Sequence, residues 1–367
     1  MTIIRASDVA KRRLTLASRR LGTKNPIHAI GGLLDKSFHL PVGDVRYGDN
    51  ALTPGFLPLE HSFSELSSNT LRLDMEPLGP FATPSARHEE AGREMRRLVA
   101  ENFGGPALHW FDERSEPWRK SHPARNARFG AWFGMGTDIH GINESKVYYE
   151  LRPGDIDNLP PNLQHAARIA MDVFPQLVPI FVSISCGRQR GSIRVYFYFR
   201  GDLKLIELQP LLHRLGIGHQ HANLLATLGV ILGGRFTLPE GSVIIGLRDT
   251  YRGIEMKLDV LLAALPDPPP QMYQLVKMAM SERPRSQTEL SRWVQAMTPD
   301  STQGPGHISV VSFRVQPRLS TRCSIYLRPT GYDQEGRIAE PPQYVASEPQ
   351  SATYRYSPPY SQNGYSD

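Results

Sequence analysis

Along the 367-residue chain, apolar and polar positions alternate with period two in ten short stretches that come in five pairs, and helical periodicity precedes each pair. The periodicity predicts helices over residues 7–21 and 29–38, then strands over 56–65 and 69–77. Helices over 85–103 and 109–122 lead to strands over 127–138 and 145–152. A single clear helix, 161–174, precedes strands 178–187 and 191–199. Two short helices between 209 and 232 precede strands 242–249 and 253–262, and helices 271–280 and 286–297 precede strands 307–316 and 322–329. The links within each strand pair are short, so paired strands must run antiparallel.

The second strand of each pair carries polar, mostly basic or phenolic, residues between apolar neighbours: Arg72, Lys146 with Tyr148, Arg194 with Tyr196, Lys257, and Tyr326. In the third copy, Ile193, Val195, Phe197 and Phe199 must face one way, and Arg194, Tyr196 and Tyr198 the other. An apolar face covered by helices and a cationic face turned inward predict an α+β fold. It is a ten-stranded antiparallel β-barrel of five ααββ units, helices outside, with a ligand-holding lumen built for an anion. One domain over residues 1–332 is expected. The last stretch, 333–367, is rich in Pro, Ser, Gln and Tyr and is expected to be a disordered tail.

The formal charge of +6 permits an anionic partner. No aromatic RNA-binding signature or zinc-finger spacing supports nucleic acid. Only two cysteines occur, Cys186 and Cys323, both in predicted strands, which argues against a disulfide framework or a zinc site. Lys and Arg interrupt the apolar residues near the amino terminus, so neither a signal peptide nor a membrane span is expected, and a cytoplasmic protein is.

Four segments carry a resemblance: Glu60 in 58–62 with Arg72 in 71–77; Asp138 and His140 with Lys146 and Tyr148; Arg194 with Tyr196; and Tyr326 in 325–329. In order and placement these resemble the aromatic prenyltransferases of the ααββ-barrel type, within them the bacterial members of the dimethylallyl tryptophan synthase group. The resemblance covers residues 54–329. It implies transfer of a dimethylallyl group from dimethylallyl diphosphate to an indole, whether tryptophan, a cyclic dipeptide or an alkaloid, in secondary metabolism. A phenol, hydroxynaphthalene or carbazole is the alternative acceptor. A non-catalytic barrel that holds an anionic hydrophobic ligand is the alternative from another class.

The chemistry of the residues agrees with this expectation. A departing diphosphate needs positive charge, and no D-D-x-x-D carboxylate cluster for magnesium occurs; the nearest approach is Asp112, Glu113 and Glu116 in a helix expected at the surface. Arg72, Lys146, Arg194 and Lys257 can bind the diphosphate directly, with no metal and no cofactor. By resemblance, Tyr148, Tyr196 and Tyr326 shield the allyl cation. Glu60 is the carboxylate expected to accept the indole N–H. His140 stands where the family often has a lysine, and serves either as the proton acceptor or as a structural turn residue. The chain departs from the family at Ser192, Glu255 and Lys257; Glu255 is expected to contact Lys257 or the acceptor's amine. The expected partners are a small prenyl diphosphate and an aromatic acceptor, the chain itself being a monomer or weak homodimer.

Overall fold

The computed structural model describes residues 4–188, 191–300 and 304–329. The tail expected over 333–367 lies outside the described residues. Helices α1 (Ala6–Leu21) and α2 (Ile27–Ser37) precede strands β1 (Leu59–Ser64) and β2 (Leu71–Met75). Helix α3 (Pro84–Arg119) precedes β3 (Ala131–Asp138) and β4 (Gly141–Glu150), and α4 (Pro161–Val173) precedes β5 (Leu177–Gly187) and β6 (Gly191–Phe199). A two-residue pair, β7 (Leu203–Lys204) and β8 (Thr237–Leu238), brackets α5 (Leu208–Arg214) and α6 (His221–Ile231). Then follow β9 (Val243–Thr250), β10 (Gly253–Leu261), α7 (Met272–Ala279), α8 (Pro284–Met297), β11 (Gly306–Gln316) and β12 (Leu319–Pro329).

Ten strands close on themselves in the order β1-β12-β11-β10-β9-β6-β5-β4-β3-β2, every neighbour antiparallel. Closure leaves the barrel without an edge strand. The pleat then divides the side chains as the sequence pattern predicts. On β6, Ile193, Val195, Phe197 and Phe199 join the buried core between strands and helices, while Tyr196 and Tyr198 belong to a separate cluster inside the barrel. Phe197 is fully buried.

The structure differs from the expected helix pairs at two places. In the second unit α3 is one long stretch broken at Gly104, whose φ of 83° lies in the left-handed region that glycine adopts without strain. Pro106 follows in the same stretch, and the break divides it near the two helices expected from periodicity. In the third unit α4 has no partner helix; a 3-10 turn, Asp155–Asn158, precedes it. The first strand pair is also shorter than expected. Pro58 and Pro77 lack the N–H groups that would extend the ladder, and residues after β1 turn at once into a 3-10 helix, Glu65–Ser67.

Candidate active site

Inward-facing residues divide the lumen into a polar cavity of about 350 Å³ and a larger, mostly apolar one of about 860 Å³. Asp74, Tyr148 and Tyr326 line both. The two cavities therefore meet at one carboxylate and two phenols.

Arg72, Lys146 and Arg314 line the polar cavity, each on a different strand. Glu144 lies among them, its Oε2 3.0 Å from Lys146 Nζ and 3.8 Å from Arg72 Nη2. A second cationic group is organised by strand register, which sets Arg194 opposite Arg248 and Arg248 opposite Glu255. Like charges in register repel, and a shared anion relieves them. Glu255 is that anion. It accepts a bond from Arg194, and at 2.7 Å from both Arg248 Nη2 and Gln316 Nε2; Arg314 Nε stands 4.0 Å away. Burial works to raise the Glu255 carboxyl, but Arg194, Arg314 and Arg248 outweigh it and hold it at about 2. Glu144 is likewise held at about 2, with Lys146 and Arg72 overcoming its burial.

This corrects the expectation for Glu255. Lys257 does not reach it, because Lys257 Nζ is engaged by Asp259 at 2.8 Å and donates to Tyr326 Oη at 2.9 Å. Nor does Glu255 face the acceptor side, since the arginines surround it. Lys257 itself lines the larger cavity with Tyr196 and Tyr326, its Nζ 5.7 Å and 4.7 Å from the two ring centres. Burial raises the Tyr196 phenol, and Arg194 and Lys257 more than reverse this, so it lies below the ordinary tyrosine value. Tyr148 stands 6.5 Å from Tyr196 between ring centres. The structure thus brings Tyr148, Tyr196 and Tyr326 to one cavity, together with Glu60.

Beyond the tyrosines the wall is aromatic. Phe129 and Trp132 stack with centres 3.8 Å apart, and Phe181 meets Trp132 edge-on at 5.3 Å. Trp132 is fixed by its indole N–H, which donates to Glu76 Oε2 at 3.2 Å; Arg87 in turn holds Glu76 Oε1 at 3.2 Å. Three carboxylates break this apolar surface: Asp259, paired with Lys257, and Glu60 and Asp74, which are register partners on β1 and β2. Ser309 Oγ donates to Glu60 Oε1 at 2.6 Å, and Tyr148 Oη donates to Asp74 Oδ1 at 3.1 Å. Burial lifts Glu60 to about 7, with Ser309 opposing and Asp74 adding to the rise. Burial also raises Asp74, against Lys146 and the Tyr148 bond.

His140 is not brought to either cavity. It lies exposed in the two-residue turn between β3 and β4, where its backbone N–H donates to Asp138 Oδ1 at 2.7 Å. A tight turn at a strand end projects its side chains away from the lumen, so the structure corrects the expectation that His140 could accept a proton from the acceptor. Among the described residues no group of three or more His, Cys, Asp or Glu side chains could hold a metal ion.

No family model matches the chain, and no curated protein matches it either. Solved structures do. A 6-dimethylallyltryptophan synthase from Micromonospora olivasterospora, in complex with DMASPP and tryptophan, superposes with a TM-score of 0.70 at 16% identity, covering 88% of this chain and 97% of that one. A 5-dimethylallyltryptophan synthase from Streptomyces coelicolor gives 0.69 at 14% identity over 91% and 100%, and AnaPT from Neosartorya fischeri gives 0.57 at 12% over 86% and 92%. The fold is the ααββ prenyltransferase barrel. Its helices lie outside and its lumen holds the charges, as the alternation of the strands requires.

Within this barrel, the residues that periodicity left unassigned lie mostly on the first strand of each pair. Trp132 on β3, Phe181 on β5, Arg248 on β9 and Arg314 on β11 all face the lumen or its charge cluster. The same period-two count that selected Arg194 would have selected them. Asp74, two positions after Arg72, was available to that count as well. The arrangement can hold an anion against Arg72, Lys146 and Arg314, and a flat ring against Trp132 and Phe181, with Tyr148 and Tyr326 at the junction.

Proposed function

We propose that the chain transfers a dimethylallyl group from dimethylallyl diphosphate to a ring atom of an indole, without a metal. One observation carries the reading: a polar, cationic cavity and an aromatic cavity share only Asp74, Tyr148 and Tyr326 in a barrel of prenyltransferase fold. Diphosphate leaves an allylic carbon when its growing charge is stabilised, and Arg72, Lys146 and Arg314 line the space for it, with Arg194 and Arg248 held in reserve by Glu255. The C–O electron pair departs with the diphosphate. The allyl cation left behind is stabilised by the faces of Tyr148, Tyr196 and Tyr326, which also keep water from adding to it.

The acceptor lies against the Phe129 and Trp132 stack, and its N–H meets Glu60. An ionised carboxylate at that atom orients the ring and enriches it in electrons as it attacks. The Trp-bound neighbours from Micromonospora olivasterospora and Streptomyces coelicolor support an indole as the acceptor. No helix of the described residues is long and apolar enough to cross a membrane. We place the protein in the cytoplasm, where the buried, unpaired Cys186 and Cys323 remain thiols.

The test is incubation of the purified protein with dimethylallyl diphosphate and a panel of indoles, phenols and hydroxynaphthalenes in excess EDTA, with products identified by mass and NMR. A prenylated indole with release of one diphosphate per product is expected. A product formed only from the phenols would move the acceptor class. Absence of any product with EDTA, restored by magnesium, would overturn the direct role of the basic residues.

A further inference from the structure

We infer that Asp74 is the proton acceptor that restores aromaticity once the acceptor ring has been alkylated. The inference rests on the prenyl transfer proposed above. When a ring carbon supplies two π electrons to the allyl cation, the new C–C bond leaves an arenium ion that still carries its ring proton at the alkylated carbon. Loss of that proton returns the C–H pair to the ring, and some group near the junction of donor and acceptor must take it.

Among the described residues, Asp74 is the only carboxylate that lines both cavities. Its partner in register, Glu60, lines the larger cavity and a side cavity of about 380 Å³, on the far side from the diphosphate space. The two carboxylates therefore address different atoms: Glu60 the ring N–H, Asp74 the carbon that meets the allyl group. His140, exposed on its turn, reaches neither.

The site is shaped for this carboxylate. On the facing position of β3, Gly134 has no side chain, and a Cβ there would stand 2.0 Å from Asp74 Oδ1. Tyr148 Oη donates to the same oxygen, which orients it and tempers its attack on the cation. Burial raises the carboxyl while Lys146 favours its anion, a balance suited to taking a proton and later giving it up. After transfer, the proton leaves Asp74 for the diphosphate or for water as products depart.

The test uses Asp74→Asn and Gly134→Ala beside the wild type. The acceptor is the panel indole that the wild type alkylates fastest, prepared with deuterium at every ring carbon, and the donor carries 18O in its bridging position. Gly134 lies outside the left-handed region, so alanine fits its backbone and displaces the Asp74 carboxylate without removing it. For Asp74→Asn we expect turnover to fall by about a hundredfold. A primary deuterium effect absent from the wild type should appear, and 18O should scramble within the donor faster than product forms. Gly134→Ala should show the same signature with a smaller loss, and covers the case in which Asp74→Asn fails to fold. Wild-type turnover in both variants, or slow turnover without isotope effect and scrambling, would overturn the assignment and pass the proton to Glu60 or the diphosphate. If the wild type alkylates no indole, the function proposed above fails and this inference with it.

Discussion

Two buried glutamates in one lumen titrate at opposite extremes: Glu255 is held at about 2 and Glu60 is lifted to about 7. Both lose water to nearly the same extent. The difference lies in their company. Glu255 stands among Arg194, Arg248 and Arg314, whereas Glu60 receives one hydroxyl, from Ser309, and faces a second carboxylate, Asp74. One end of the barrel is thus a cluster of cations waiting for an anion, provisionally neutralised by a side chain. The other is an apolar chamber in which a buried carboxylate accepts a single hydroxyl and is pushed up by its loss of water.

Removing the provisional anion is the strongest way to break this comparison. Glu255→Gln leaves three facing guanidinium groups without their countercharge and should destabilise the protein by about 3–5 kcal/mol. Inorganic diphosphate should recover much of that loss, raising the unfolding midpoint further in the variant than in the wild type. Equal stabilisation of both proteins would show that these arginines do not serve an anion site. At the opposite end, Glu60→Gln should fold normally and lose acceptor turnover by roughly two to three orders of magnitude, about 3 kcal/mol of charge-assisted orientation. Its affinity for diphosphate should be unchanged. Wild-type turnover in this variant would make Glu60 a structural carboxylate and remove the main support for an indole acceptor.

The two extremes also predict opposite pH dependences. Glu60 in the unfolded chain ionises near 4.5, and in the folded protein near 7. Between those values the folded state holds a proton that the unfolded state has lost, so this group withdraws stability as pH rises through the window. Glu255 does the reverse, because its folded value lies below the unfolded one; its contribution is present above about 4.5 and is lost as pH falls toward 2. Comparing Glu60→Gln with wild type in urea at pH 5 and pH 7.5, the variant should gain about 2–3 kcal/mol relative to wild type at the higher pH. A constant difference would place Glu60 among ordinary exposed carboxylates. For turnover, the acceptor kcat/KM of the wild type should rise with pH up to about 7 and then level, as Glu60 ionises.

How much of this was legible in the sequence follows from what period two can and cannot encode. Strand alternation gave the barrel, its inward face, and Arg72, Lys146, Arg194, Tyr148, Tyr196 and Tyr326 on it, because a strand has only two faces and one must meet the helices. The pairing of Lys257 with Asp259, two positions on along β10, was open to the same count. The pairing of Glu255 with the arginines was not: it depends on which strand lies beside which, and β6 pairs with β9 across an intervening helical segment. Nor could alternation say that Gly134 makes room for Asp74, since the contact joins two strands of different pairs. The missing helix of the third unit was legible only as an absent periodicity, and the structure fills the place with a 3-10 turn.

The smallest expected effect belongs to His140, which the resemblance offered as a proton acceptor or a turn residue and which lies exposed in the β3–β4 turn. His140→Ala should change turnover by less than about twofold and stability by no more than about 0.5 kcal/mol, as for an exposed position away from caps and networks. The bond that shapes this turn is made by the backbone N–H of His140 to Asp138, and alanine retains it. Asp138 is further anchored by Arg188 Nη1 at 2.6 Å, which the substitution leaves untouched. Glycine at 141, with a φ of 111°, completes the turn whatever the side chain at 140. The measurement is steady-state turnover with a prenylated indole as product, alongside a urea melt. A loss of a hundredfold with an unchanged melt would show that the β3–β4 turn reaches the acceptor during the reaction. It would then restore His140 as the proton acceptor in place of Asp74, and so decide between the two ends of the lumen as the source of the base.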